Sequence, residues 1–160
     1  MIHRVAMFVL LVLQREDGQI LLMERKNTSY LNGWLVLPGG KVDEGEDVVA
    51  AMAREAKEEV GVTIDPADLR IVHVTQQHTP DAPEKDTVGW FLTATRWDGE
   101  PYDAEPHLCG GLVWADPDDL PERLWPQNRR GIESWRRGEP FSTQGWTTAA
   151  DRDPREARRG

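Results

Sequence analysis

The sequence predicts an α/β fold, with a mixed central β-sheet and helices packed on its faces. Three observations lead to this prediction. Short apolar runs typical of strands precede residue 40, one helical pattern occupies the middle of the chain, and further strand-like runs lead to a late helix. Elements in this order pack as layers around a hydrophobic core, and 160 residues are enough to form one.

The elements before the central helix are predicted to be strands joined by turns. Residues 5–13 are continuously apolar and partly β-branched, which is typical of a buried central strand. Asp17-Gly18 predicts a tight turn after it. The remaining elements of this part are a strand at 19–24, a polar loop at 27–33, a strand at 34–37 and a glycine-rich turn at 38–40.

Residues 47–60 predict the central helix. They contain neither proline nor glycine, and apolar side chains recur three and four residues apart along one face. Acidic residues gather at the start of the helix, where the helix dipole favours them. Gly61 follows as the expected C-terminal cap.

The second half of the chain predicts further strands and one more helix. The predicted elements are strands at 69–76, 87–97 and 112–114, a loop at 79–85, a turn at Asp98-Gly99, one helical turn at 118–120 and a helix at 127–137. We expect a single domain at 1–146. Residues 147–160 contain four arginines and little apolar content, so we predict a mobile, Arg-rich tail.

Glu55, Glu58 and Glu59 fall side by side on the central helix, next to its apolar face. Like charges at these spacings destabilise an isolated helix by roughly 0.2–0.5 kcal/mol per pair, so the three glutamates require a compensating positive charge. Carboxylate oxygens on a rigid support suit Mg²⁺ or Mn²⁺. The alternative is a solvated acidic helix face, but the glycine-rich turn, Glu46 and Arg54 favour a metal site.

The segment from Gly40 to Val62 resembles the signature of the Nudix hydrolase family. Its fixed positions are filled by Gly40, Glu46, Arg54, Glu55, Glu58, Glu59, Gly61 and Val62. The wider resemblance extends over most of the chain, from about residue 4 to residue 146. It implies the α/β/α sandwich of that family and the hydrolysis of a nucleoside diphosphate linked to another group.

The resemblance also implies roles for individual residues. The implied metal ligands are Glu55, Glu58, Glu59 and the backbone carbonyl of Gly39. The implied substrate-binding residues include Gly39, Gly40 and Glu46. Arg54 is an implied catalytic residue that, together with Glu46, orients the carboxylates.

The sequence leaves the general base open. In some members of the family the base comes from the signature itself, which indicates Glu58 or Glu59. In others it comes from the loop before the last strand, where many relatives have an Asp-Glu pair and this chain has Gly110-Gly111. Glu105 or Asp103, from the same loop, is a further alternative.

The segment at 124–128 is similar to the one with which MutT-type members of the family contact a purine base. Gln127 and Asn128 are therefore candidate base contacts, although either residue could instead cap the last helix. Trp34 is a candidate for stacking on a base beside the glycine-rich turn. Core packing is the alternative for any one tryptophan, and we expect Trp90 and Trp114 to lie inside.

His73, His78 and His107 are candidate proton carriers or substrate donors, with a satisfied or solvated histidine as the alternative for each. His78 ranks first because its loop could border the pocket. Cys109 is predicted to be a small packed residue, since the hydrolysis needs no covalent step. As the single cysteine it forms no intrachain disulfide.

The formal net charge of −9 opposes binding to nucleic-acid polymers and to anionic membranes, but not to a small phosphate substrate that arrives with magnesium. The apolar run at 5–13 is too short to span a bilayer. We expect a cytoplasmic monomer or homodimer that acts on a small nucleotide.

The leading hypothesis is magnesium-dependent hydrolysis of a (deoxy)nucleoside triphosphate to its monophosphate and pyrophosphate. An ADP-ribose or nucleotide-sugar pyrophosphatase is the enzymatic alternative. The ADP-ribose subgroup has a proline closer to the signature than Pro80, and the dinucleoside polyphosphate subgroup has a tyrosine that this chain lacks between 61 and 102. A third hypothesis, motivated by Gly110-Gly111, is a nucleotide-binding or regulatory module with little turnover. A fourth is an acidic helix with a purely structural role.

Overall fold

The computed structural model describes residues 1–146, so the predicted tail at 147–160 lies outside the described residues. The strands are β1 (Ala6–Leu13), β2 (Ile20–Arg25), β3 (Leu35–Val36), β4 (Gly39–Lys41), β5 (Arg70–Gln77), β6 (Thr87–Ala94), β7 (Cys109–Ala115) and β8 (Phe141–Gln144). The helices are α1 (Val48–Val60) and α2 (Pro126–Arg136). Two single 3-10 turns span Pro66–Asp68 and Pro83–Lys85. None of the helices in this part of the chain is long and apolar enough to cross a bilayer.

The strands form two sheets. The larger has the order β4-β1-β6-β5-β8, and the smaller has the order β3-β2-β7. In the larger sheet β1 pairs in parallel with β6 and β5 pairs in parallel with β8, whereas the β1–β4 and β5–β6 pairs are antiparallel. The prediction of a mixed sheet is therefore confirmed.

The two helices pack on opposite faces of the sheets. Successive side chains of a strand point to opposite faces, and β1 and β2 follow this rule. Leu11 and Leu21 belong to the core cluster that contains the buried side of α1. Val12 and Leu22 belong to the cluster under α2. The predicted α/β/α arrangement is confirmed by this division.

The sequence does not predict β4, because Pro38-Gly39-Gly40 has the composition of a turn. Gly39 instead pairs with Leu10 in an antiparallel ladder. A Cβ atom on Gly39 would lie 2.0 Å from the carbonyl oxygen of Val9, so only glycine allows this close approach of the two backbones. The same approach brings the strand beside α1, where the site is formed.

Several boundaries also differ from the sequence predictions. β7 starts at Cys109, within the predicted loop, because its pairing with β2 begins there. β6 ends at Ala94 rather than at 97. The predicted helical turn at 118–120 is wrong, since the chain makes a hydrogen-bonded turn from Asp116 to Asp119 instead. The sequence also does not predict the polar strand β8.

Candidate active site

The local sequence fixes α1 at both ends. Asp47 caps its start, since its Oδ1 accepts hydrogen bonds from the N–H groups of Val49 and Ala50 at 2.9 and 2.8 Å. Gly61 caps its end with a φ of 71°, the left-handed conformation that glycine adopts without strain. The side chains that α1 buries in the core are Ala51, Met52, Ala56 and Val60. The glutamates at 55, 58 and 59 therefore emerge beside the core face, as predicted.

Arg54 lies among four carboxylates. Its Nε and Nη2 donate to the two oxygens of Glu46 at 3.0 and 2.6 Å, and its Nη1 donates to Glu55 at 3.0 Å and Glu58 at 3.2 Å. It also lies 3.4 Å from Asp43. The bidentate pairing of Arg54 with Glu46 lowers the pKa of Glu46 to about 2, mainly through the side-chain hydrogen bond. Arg54 thus holds the acidic residues that precede α1 against the helix itself.

β4 provides the opposite wall of the site. The Gly39 N–H donates to Oε2 of Glu59 at 2.7 Å. A Cβ atom at Gly40 would lie 2.2 Å from Oε1 of Glu55, so the absence of a side chain at Gly40 makes room for that carboxylate. The backbone carbonyl of Lys41, which the sequence did not single out, accepts from Arg54 at 3.0 Å.

Burial disfavours the ionised forms of Glu55 and Glu59, and contacts with the surrounding protein only partly offset this effect. Burial raises the pKa of Glu59 to about 8, against the lowering effect of the hydrogen bond from Gly39. Burial also raises the pKa of Glu55, although Arg54 acts in the opposite direction. Among the described residues, the Gly39 N–H is the only direct polar partner of the Glu59 carboxylate. A cation bound here would stabilise both ionised carboxylates.

The loop before β7 is fastened to the end of α1. The N–H groups of Tyr102 and Ala104 donate to the carbonyls of Val60 and Glu59 at 3.1 and 3.2 Å. The Glu105 carboxylate in this loop contributes to raising the pKa values of both Glu55 and Glu59, which places its charge close to theirs. Asp103 instead accepts a hydrogen bond from the Glu105 N–H at 3.2 Å. Of the two candidate loop bases, Glu105 is the one whose charge raises the pKa values of both glutamates.

The residues near the start of α2 are held in a defined arrangement, although not as helix caps. Oδ1 of the buried Asn128 accepts from the Leu37 N–H at 2.9 Å. Gln127 accepts from Nε1 of Trp125 at 2.9 Å, and Trp125 itself occupies the N-cap position. The alternative of a capping role for Gln127 or Asn128 is therefore wrong. The half-buried Trp34 meets Trp125 edge to face at 6.4 Å between ring centroids.

The remaining histidines and the cysteine have other environments. His73 is fully buried, and its ring contacts the Glu139 carbonyl at 2.7 Å and the Ser142 hydroxyl at 2.8 Å, so it is a satisfied strand histidine. His107 is exposed, and Cys109 is buried. Trp90 and Trp114, expected inside, are half-buried and pack against the core on the α1 side.

His78 joins the two ends of the described chain. Its Nδ1 donates to the buried Asp86 at 3.0 Å, and Asp86 also accepts from His3 at 3.0 Å. The ring of His78 stacks on Trp146, with centroids 5.0 Å apart. A hydrogen bond from the Thr79 N–H to Asp86, at 2.7 Å, completes this arrangement. Protein contacts thus account for His78 without a substrate.

Comparison with known proteins agrees with this fold. Residues 3–135 match the model of the NUDIX domain. The 8-oxo-dGTP diphosphatase of Escherichia coli (strain K12) is 30% identical over 112 residues, which are 69% of this chain and 83% of the relative. An RNA pyrophosphohydrolase of Erythrobacter litoralis is 28% identical over 132 residues, 74% of this chain and 80% of the relative. The crystal structure of a MutT NUDIX hydrolase from Burkholderia pseudomallei has a TM-score of 0.71 at 32% identity, over 81% of this chain and 97% of that one.

The chain therefore belongs to the Nudix hydrolase family, and its relatives define it as a pyrophosphohydrolase. Members of this family use divalent metal ions and act on small nucleotides. In residues 1–146 no three His, Cys, Asp or Glu side chains converge tightly enough to hold an ion as they stand. The donor set nevertheless fits one, because Glu55, Glu58 and Glu59 offer hard carboxylate oxygens along α1 and, within the described residues, only the Gly39 N–H contacts the Glu59 carboxylate.

Proposed function

We propose that this chain is a magnesium-dependent pyrophosphohydrolase that converts a (deoxy)nucleoside triphosphate to its monophosphate and pyrophosphate. The observation that carries the proposal is the pairing of the half-buried carboxylates Glu55 and Glu59 with the bare backbone of Gly39 and Gly40. Carboxylates beside Gly39 and Gly40, which have no side chains, leave space for a phosphate chain that arrives with its cation. The name of the Escherichia coli relative makes an oxidised purine triphosphate the first substrate to test.

We assign the metal to Glu55, Glu58 and Glu59, with the Gly39 carbonyl as a fourth donor. An ion bound there supplies charge neutralisation at the phosphate oxygens and a more acidic water. The protein's own contribution is to hold these side chains in place. Arg54 does so by hydrogen bonds to Glu55 and Glu58 on one side, and the Gly39 N–H does so on the other.

We assign proton removal from the attacking water to Glu105. Among the described residues its carboxylate forms no ion pair, whereas Glu58 is held by Arg54 at 3.2 Å. Its loop is anchored to α1 through the carbonyl of Glu59, so the carboxylate is positioned by backbone hydrogen bonds. A base from the signature itself, Glu58 or Glu59, is the alternative. With Glu105 as the base, Gly110-Gly111 does not imply a loss of activity, since these glycines lie within β7 and not in the loop that carries Glu105.

We assign recognition of the base to the start of α2. Asn128 is buried and held by the Leu37 N–H, so its carboxamide is fixed in orientation and can present donors and acceptors to a base edge. The half-buried Trp34 and Trp125 lie edge to face near it, and the ring of one of them would serve for stacking on the base. Gln127 is oriented by Trp125 in the same segment.

The test is a substrate panel with magnesium, read by separate assays for pyrophosphate and inorganic phosphate and, for ADP-ribose, by an assay for AMP. The panel contains 8-oxo-dGTP, the ordinary nucleoside triphosphates, ADP-ribose and a 5′-triphosphorylated RNA. We expect pyrophosphate release from a nucleoside triphosphate as the fastest reaction. Turnover confined to ADP-ribose or to the RNA would overturn the substrate assignment, and release of inorganic phosphate alone would overturn the assignment of the bond that is broken.

The same panel applied to Glu58→Gln tests the site. We expect a loss of at least about 100-fold in kcat/KM, because removing a ligand charge weakens transition-state stabilisation by roughly 2.7 kcal/mol or more. Glu122→Gln, the same change at an exposed position outside the site, is the matched control. Parental activity in Glu58→Gln would remove the metal assignment, and an equal loss in both variants would show that the effect is not local.

A further inference from the structure

The loop that carries Glu105, which we define as residues 102–108 and call the Glu105 loop, has a fixed backbone. The Glu105 carbonyl accepts hydrogen bonds from the N–H groups of Leu108 and Cys109 at 2.8 and 3.0 Å, so the chain turns tightly after this residue. The Glu105 carboxylate itself has no ion-pair partner within residues 1–146. The backbone of the loop therefore decides where this carboxylate lies.

The end of α1 supports the loop on one side. The ring of Tyr102 packs directly on Gly61, since a Cβ atom on Gly61 would lie 2.0 Å from Cε1 and 2.6 Å from Cδ1 of that ring. The Tyr102 N–H also donates to the Val60 carbonyl at 3.1 Å. With 59% of Tyr102 exposed, core burial does not account for its position. Gly61 thus not only caps α1 but also leaves the space in which the ring rests.

The segment that follows β2 supports the loop on the other side. The Lys26 N–H donates to the Leu108 carbonyl at 2.8 Å, and Nδ2 of Asn27 donates to the His107 carbonyl at 2.9 Å. Asn27 has a φ of 53°, in the left-handed region that asparagine tolerates better than most residues. Position 27 therefore holds a residue type that accepts this backbone conformation and also supplies the donor.

These two contacts hold the loop before and after Glu105. Tyr102 precedes Glu105 in the loop, and His107 follows it. A general base must lie within hydrogen-bond reach of the proton that it removes, and a misplacement of about 1 Å can cost roughly 100-fold in rate. Losing either contact would give the carboxylate a wider range of positions. The alternative is that both contacts only stabilise the fold, and a kinetic experiment distinguishes the two roles.

We propose that Tyr102 and Asn27 are positioning residues that fix Glu105 for proton removal, Tyr102 by packing on Gly61 and Asn27 by its hydrogen bond to the His107 carbonyl. This role rests on the assignment of the general base to Glu105. It does not depend on which nucleotide is the substrate, because both contacts are made within the protein.

The test measures kcat, KM and thermal unfolding of Tyr102→Ala and Asn27→Gly, on the panel substrate that the parent chain hydrolyses fastest. Glycine at position 27 keeps the left-handed backbone and removes only the donor. Each variant should lower kcat at least about fivefold and leave KM within about twofold, because the altered contacts position the base and not the substrate. Tyr102→Phe keeps the ring, and Thr28→Ala removes a 2.8 Å hydrogen bond to the Tyr30 carbonyl that does not reach the Glu105 loop. Both controls should keep the parental kcat.

The same two changes made in Glu105→Gln separate positioning from general stabilisation. If Tyr102 and Asn27 act through the Glu105 carboxylate, each change should alter kcat by less than about twofold once that carboxylate is gone. Equal losses with and without the carboxylate, a change in KM alone, or a Tyr102→Phe variant as slow as Tyr102→Ala would overturn the proposal. Parental kcat in Tyr102→Ala and Asn27→Gly beside a slow Glu105→Gln would overturn it and leave the base assignment in place. An unchanged kcat in Glu105→Gln itself would overturn the base assignment and the positioning role together.

Discussion

The substitution Gly40→Ala should lower the activity of the protein and leave its stability nearly unchanged. Gly40 lies in β4 and is not among the glycines with a positive φ, so its backbone conformation suits alanine. The added Cβ atom would lie 2.2 Å from Oε1 and 2.5 Å from Cδ of Glu55. The atoms in conflict belong to the end of a flexible side chain, so the carboxylate moves and the strand stays in place.

The size of the effect follows from that distance. A carbon and an oxygen in contact lie about 3.3 Å apart, so the Glu55 carboxylate must shift by about 1 Å. A displacement of about 1 Å in a reacting constellation can cost roughly 100-fold in rate, which corresponds to about 2.7 kcal/mol of activation free energy. We expect the free energy of unfolding to change by less than about 1 kcal/mol, because no backbone contact is disturbed.

The assay compares pyrophosphate release and thermal unfolding in Gly40→Ala and Gly39→Ala. A Cβ atom on Gly39 would meet the carbonyl oxygen of Val9 at 2.0 Å, and that backbone cannot move aside. Gly39→Ala should therefore lower stability by roughly 1–3 kcal/mol along with activity. Parental kcat/KM in Gly40→Ala, or an equal loss of stability in both variants, would refute the reasoning from Glu55.

Three further outcomes are expected. Arg54→Lys should lower kcat/KM at least about tenfold, since lysine cannot reproduce the two parallel hydrogen bonds to Glu46; full activity would contradict this positioning role. Glu105→Gln should lower kcat by about 10²–10⁴-fold, and an unchanged kcat would instead indicate Glu58 or Glu59 as the general base. The hydrogen bond from His78 holds the pKa of Asp86 below its usual value. Ionised Asp86 therefore stabilises the fold at pH values above its unfolded-state pKa of about 3.9. This contribution is lost as the pH falls through the lower pKa of the folded state. Denaturant titrations should therefore show that Asp86→Asn flattens the fall in unfolding free energy below about pH 4, and parallel curves would contradict the assignment.

Local sequence signals were sufficient for α1 and for the order of most strands. The cap at Asp47, the apolar spacing and the glycine at 61 all belong to one continuous segment, so they specify the helix without reference to the rest of the chain. The position of Glu55 and Glu59 beside the core follows directly from helical spacing. The mixed sheet and the layered arrangement follow from the order of the elements.

The parts that the sequence did not predict depend on contacts between distant residues. β4 exists because Gly39 meets β1, and nothing in a glycine-rich turn indicates that partner. β8 is polar and short, so its strand conformation comes from pairing with β5 and from the bonds of Ser142. Asn128 has the local features of a helix cap, but its buried hydrogen bond to Leu37 joins residues far apart in sequence.

The meeting of His3 and Trp146 at the Asp86–His78 pair has a topological consequence. Because both extremities of the described chain rest on one small patch, a short covalent link between them would cost little conformational entropy. New termini could then be opened at the Asp17-Gly18 hairpin, where Gly18 has a φ of 85° and a side chain would meet nothing within 4 Å. A circularly permuted enzyme of this design should retain the three glutamates of α1, β4 and the loop of Glu105 in one uninterrupted stretch.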